Sequence, residues 1–170
     1  MSIDNPTDIA TLTALLELEA LIEHPMTILG GSDDLITCAS DADPTAPLAA
    51  TKLTPALPDG AIVTQAYIIV LCRTIEDDST AANYVGTAGV VQVKKVTGGA
   101  WATGIAIPAG AWDVGASVQG AGFAIIGETD VKDQVADGSQ VQFQIVTLRA
   151  HGSNILLHDI QFGLKIYYRM

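Results

Sequence analysis

Asn154-Ile155-Leu156-Leu157-His158-Asp159-Ile160-Gln161-Phe162-Gly163-Leu164-Lys165-Ile166-Tyr167-Tyr168-Arg169-Met170 decides the fold. Ile160, Phe162, Leu164, Ile166 and Tyr168 fall on one face, and Gln161, Gly163, Lys165, Tyr167 and Arg169 on the other. That two-residue period is the signature of a β-strand with one buried face. A lone strand cannot bury its own face. It requires strands along its edges and a second layer against its apolar side.

Working outward, residues 140–149 alternate Val141, Phe143 and Ile145 against Gln142 and Gln144. They reach the terminal strand through His151-Gly152-Ser153-Asn154, which predicts a hairpin between the two. Asp137-Gly138 marks a turn before them, and residues 130–137 form a polar connection. Residues 61–73 are apolar almost without interruption, as in a central strand covered on both faces. Residues 90–96 and 101–107 predict a second hairpin across Gly98-Gly99. Residues 108–122 are glycine-rich, with Trp112 and Val114 as anchors, and a strand resumes at 123–127.

The amino-terminal part differs. Asn5 can cap a helix over residues 5–24, Pro6 suits its first position, and Asp8 favours the positive end of its dipole. Ile9, Leu12, Leu15, Leu16, Leu18, Leu21 and Ile22 make an apolar stripe that needs a partner, and Pro25 ends the helix. The helix either crosses a sheet or reaches a neighbouring subunit. Gly30-Gly31-Ser32-Asp33-Asp34 predicts a turn, followed by a short strand at 35–39. Residues 41–58 contain Pro44, Pro47, Pro55 and Pro58, as in an extended contact loop with one edge strand near 52–54.

These elements describe an antiparallel, all-β sandwich or barrel of about eight strands, preceded by an N-terminal α-helix. The organisation divides into residues 1–58, comprising helix, short strand and proline-rich arm, and residues 59–170, comprising the β-domain. At 170 residues the chain suffices for a substantial core. It is 49% hydrophobic and only 16% charged, against roughly 25% in ordinary soluble domains, which implies surface hidden against other chains.

The formal charge of −11 repels phosphate backbones, and Lys94-Lys95 is the only basic doublet, so direct nucleic-acid binding is not expected. The opening Met1-Ser2-Ile3-Asp4-Asn5-Pro6 lacks the pattern of a secretory signal, and no apolar run is long enough for a membrane helix. A soluble chain made in the cytoplasm is expected. Cys38 and Cys72 both lie in apolar surroundings and suit buried thiols; no ligand spacing around them suggests zinc.

No catalytic or cofactor pattern stands out. His24, His151 and His158 with Asp159 lack the spacing of a metal or proton-transfer site. Ser32 and Ser117 lack a nucleophile elbow, and no phosphate-cradling glycine loop occurs. Asp33-Asp34, Asp41 with Asp43, Glu76-Asp77-Asp78 and Asp130 with Asp133 match no ordered calcium loop and suit solvated turns. No enzyme activity, cofactor or metal is expected.

Ala136-Asp137-Gly138-Ser139-Gln140-Val141-Gln142-Phe143, followed by the terminal strand from Asn154 to Tyr168, resembles small jelly-roll structural proteins of tailed bacteriophages. Leu57-Pro58-Asp59-Gly60-Ala61-Ile62-Val63-Thr64-Gln65-Ala66 is similar to the opening strand of the same sandwich, so the likeness spans roughly residues 54–170. The resemblance implies a jelly-roll β-sandwich and a virion role, either capsid decoration (cement) or a tail or fibre part. A decoration protein would contact the major capsid protein and other copies of itself, with a trimer suited to local three-fold axes. Leu12, Leu16, Pro44, Pro47, Pro55, Trp112 and Tyr167 are the interface candidates. The alternative is a tail or fibre module that binds a host surface glycan, with Trp101, Trp112 and Tyr84 as stacking residues.

Overall fold

The computed structural model describes residues 14, 15, 17, 21–38, 52–77, 89–107, 119–146 and 155–170. Seven strands occur among them: β1 (His24–Cys38), β2 (Ile62–Asp77), β3 (Gly89–Lys95), β4 (Ala102–Ile107), β5 (Gln119–Ile126), β6 (Val141–Val146) and β7 (Ile155–Arg169). They form two antiparallel sheets, ordered β1-β7-β2-β5 and β4-β3-β6. Leu53 extends the smaller sheet by one antiparallel bridge to Val141, with N–H···O bonds of 2.9 and 2.8 Å. This bridge falls where the sequence predicts an edge strand near 52–54.

The sheets face each other across one sandwich-like core. Ala66, Ile68, Val70, Leu157, Ile160, Phe162, Leu164 and Ile166 come from the larger sheet; Val91, Val93, Ile105, Val141, Phe143 and Ile145 come from the smaller one. Phe143 and Phe162 stack between them, centroids 5.4 Å apart and planes 14° from parallel. The alternation of the terminal stretch is therefore the structural organiser: its apolar face is buried from Ile160 to Ile166.

One residue in β7 departs from that alternation. Asp159 has φ of 50°, in the left-handed region that aspartate tolerates better than most residues. It resets the phase of the strand. Leu157 and Ile160, three positions apart, both face the core and are fully buried.

Four expectations need correction. The predicted turn at 30–34 is part of β1, which runs without a break from His24 to Cys38 and absorbs one extra residue between Gly30 and Ser32 as a bulge. Glycine serves packing there: a Cβ on Gly30 would sit 2.7 Å from Leu53 Cδ1. The helix does not reach residue 24, since His24 already pairs with Tyr168; Ala14, Leu15, Glu17 and Leu21 are helical, and the rest of that element lies outside the described residues.

β6 and β7 are not hairpin partners. β6 pairs with β3, whereas β7 lies between β1 and β2, because both carry fully apolar faces that bury best against each other. Finally, β5 starts at Gln119 rather than 123, within the glycine-rich stretch.

The connection from β5 to β6 is more than polar. Gly127 N–H donates to Ile68 O and Val131 N–H to Ala66 O, both at 2.8 Å, so the chain continues alongside β2 beyond the end of β5. Asp130 Oδ1 accepts from the amides of Ala66 at 2.9 Å and Lys132 at 3.0 Å. A 3-10 turn at Lys132–Gln134 follows, and Val131 and Val135 are buried against the core. The hydrogen bonds satisfy backbone groups that closing the core would otherwise strand.

Candidate interaction surfaces

The outer face of the larger sheet is built by cross-strand register. Leu29 pairs with Gly163, Gly163 with Ile69, and Ile69 with Ile126, which sets one row across four strands. Gly163 has no side chain to fill its place, and Leu29 Cδ2 leans over it. The next rows carry Thr27, Lys165 and Tyr67, then Pro25, Tyr167 and Gln65. Tyr67 meets Tyr167 edge-on at 6.3 Å, and Lys165 Nζ lies 5.3 Å from the Tyr167 ring centre. Leu29 and Ile126 remain exposed, while Ile69 is buried by its neighbours. The central strand is thus fully covered on its core side and partly on its outer side.

A second apolar group lies at one end of the same sheet. Ile22 precedes the first residue of β1, Met170 follows β7, and Ile62 opens β2 opposite Arg169; all are exposed, Ile62 at 67%. Leu15 and Leu21 are exposed as well. At the same end of the sheet, Arg169 reaches Glu23 at 3.5 Å, and its Nε is buried with no hydrogen-bond partner among the described residues.

Further along the outer face, Leu71, Cys72, Arg73, Gly122, Ala124 and Asp159 line an open recess. Arg73 Nε lies 2.7 Å from Asp159 Oδ2, with 75% and 44% of the two side chains exposed, so the pair contributes little to stability. Cys72 is a free thiol whose Sγ lies 3.2 Å from Thr74 O. Burial pushes it up to about 11 from an ordinary 9.0. In a Cys38→Ser chain at about pH 8, Cys72 is expected to resist Ellman's reagent until denaturant is added. Stoichiometric labelling of the folded chain would contradict its burial.

Two acidic residues of the β5–β6 connection, Asp130 and Asp137, act as structural acceptors. Lys95 Nζ donates to Asp137 Oδ2 at 2.8 Å, and the Ser139 amide donates to Oδ1 at 3.0 Å. The lysine first, then the amide, hold the Asp137 carboxyl at about 2, below its ordinary 3.8. Since the folded carboxyl is the stronger acid, the unfolded chain binds more protons between those values. The stabilisation is whole above about pH 4 and is lost as pH falls through about 2. Asp137→Asn is expected to lower stability slightly at neutral pH, with the difference from the parent closing by about pH 2. Urea titrations across that range check it; a constant gap would refute the pairing.

Of the interface residues expected from sequence, Tyr167 is half-buried on the outer sheet face. Pro55 is buried and lines a recess with Leu57, Asp59 and Asp137. Leu12, Leu16, Pro44, Pro47 and Trp112 lie outside the described residues, as does Tyr84. Ile62 and Ile126 were legible only as strand residues, and Leu29, just before the predicted turn, belonged to no predicted element; the exposure of all three depends on register. Among the described residues, no three His, Cys, Asp or Glu side chains group as metal ligands, and no helix is long and apolar enough to cross a membrane. No family model and no curated protein sequence matches the chain.

Proposed function

We propose that this chain is a structural subunit of a bacteriophage virion, a capsid decoration protein that stabilises the shell through contacts with the major capsid protein and with other copies of itself. The strand order carries the reading. β1-β7-β2-β5 opposite Leu53-β6-β3-β4 supports a jelly roll: the chain alternates between sheets at every step except the β3–β4 hairpin, and Leu53 occupies the place of an eighth strand. Jelly-roll winding is the fold expected from the resemblance of residues 54–170 to phage structural proteins.

The uncovered apolar residues agree with such a role. A cement protein works by burying surface against neighbours, and Leu29 and Ile126 on one face, with Ile22, Ile62 and Met170 at its end, are available for burial. Leu15 and Leu21, both exposed, add apolar area of the same kind. A trimer fits a local three-fold axis, with the virion as the final location.

Native mass spectrometry of the purified chain, alone and after mixing with capsids lacking it, tests the proposal. A stable trimer that loads in stoichiometric copy number is expected. Leu29→Lys with Ile126→Lys, or removal of residues 1–24, should lower occupancy about tenfold or more while the β-domain stays folded. A monomer that ignores capsids would overturn the reading.

A further inference from the structure

The outer face of the smaller sheet has a different chemistry. Register sets Gln144, Gln92 and Thr103 in one row across β6, β3 and β4, and Gln142 beside Lys94 in the next. Trp101, immediately before β4, completes the second row: Lys94 Nζ lies 4.8 Å from its ring centre. Three amides, a hydroxyl, an ammonium and an indole therefore share one face. None of these six residues is acidic, in a chain with 19 carboxylate side chains.

The polar groups are held in place. Gln144 is only 4% exposed and donates its amide to Gln92 Oε1; Gln92 in turn donates to Thr103 Oγ1 at 3.3 Å. Thr103 is exposed and keeps its own hydroxyl proton to donate. A fixed row of amides and hydroxyl beside an indole matches a pyranose ring, which offers hydroxyls at its rim and an apolar C–H face to an aromatic surface.

We infer that this face is a saccharide-binding surface for a carboxylate-bearing pyranose glycan. The sugar ring packs on Trp101, its hydroxyls exchange hydrogen bonds with Gln92, Gln142 and Thr103, and its carboxylate pairs with Lys94. Lys94 must leave the indole to admit the ring. The carboxylate then replaces the lost cation–π contact, a partner that these six residues do not themselves supply. The overall negative charge opposes this only weakly at physiological salt, where charges beyond about 8 Å are screened. The site lies on the opposite side of the core from the apolar docking face. It does not depend on the capsid reading.

The experiment titrates the full chain with a hexuronate oligosaccharide, with sialyl-lactose, and with neutral lactose and malto-oligosaccharide, following the side-chain amides of Gln92 and Gln142 by NMR and, where Trp101 is present, its indole N–H. Saturable shifts are expected with one acidic sugar, and which one identifies the source of the carboxylate. Trp101→Ala should weaken that binding about tenfold or more, and Trp101→Phe less. Lys94→Gln should weaken it and remove its salt dependence, whereas Lys165→Gln on the other sheet should change nothing. Circular dichroism confirms that each variant is folded, and Lys94→Gln alone suffices if Trp101→Ala is not. No saturable binding by either acidic sugar, equal binding of neutral sugars, or indifference to Lys94→Gln would overturn the assignment.

Discussion

Phe162→Ala is expected to lower the free energy of unfolding by about 3–5 kcal/mol, the range for truncating a fully buried phenylalanine. Phe162 is fully buried at the centre of β7 and stacks on Phe143, whose strand belongs to the opposite sheet. Removing its ring does more than deprive one strand of apolar area. It opens a cavity between two layers that meet through side chains, where no backbone hydrogen bond between Phe143 and Phe162 can hold the gap closed. Phe162→Leu retains most of the volume and should cost about 1.5 kcal/mol or somewhat more. Urea unfolding should show a lower midpoint at unchanged slope. A Phe162→Ala loss no larger than that of exposed Thr103→Ala, within about 0.5 kcal/mol, would mean that the rings do not join the sheets.

Gly122→Ala is expected to destabilise by about 3 kcal/mol or more, although it adds a single methyl group. A Cβ at Gly122 would overlap Cys72 O and Arg73 O, which are backbone atoms of the neighbouring strand. A side chain can rotate away from a new methyl; a strand held between β5 and β7 cannot. The remaining response is for β5 to peel from β2. A loss of about 3 kcal/mol corresponds to a fall in Tm of about 6–12 °C for a domain of this size. Gly138→Ala provides the contrast. Its φ is +69° and nothing lies within 4 Å of the new Cβ, so only the left-handed backbone penalty of about 1–2 kcal/mol applies. Equal losses at the two sites would show that close strand approach does not govern position 122.

What the sequence disclosed follows from how locally each signal is encoded. The alternation of Ile160 to Ile166, the apolar run of β2 and the β3–β4 hairpin depend on residues near one another, and all were legible. The full length of β1 was not. Gly30 and Gly31 spell a turn by composition, and only the packing of Leu53 over Gly30 explains glycine inside a strand. The same ambiguity hid the first half of β5, where Gly122 exists to admit the backbone of β2. Val131 and Val135 were hidden among charged neighbours, since sealing a core from a loop requires only two apolar side chains.

The partner of β6 could not be read at all. Its short distance to β7 along the chain favours a hairpin, while face-to-face burial of Phe143 on Phe162 favours opposite sheets, and the choice rests on the whole topology. The candidate surfaces were equally remote from local pattern. Trp101 was visible as an aromatic strand residue, but Gln92, Gln142, Gln144 and Thr103 became its neighbours only through register.

The central place of β7 in the larger sheet dictates when that sheet can form. β1 and β2 do not pair with each other; each pairs with β7, across more than a hundred residues of sequence for β1. During synthesis, β1 therefore leaves the ribosome long before its partner exists, and can complete its pairing only after Tyr168 has emerged. Folding of the larger sheet waits for its last strand and is governed by non-local pairing, hence slow. In that interval the nascent chain exposes strand edges that invite association with other chains, so a holding chaperone raises the yield of native protein.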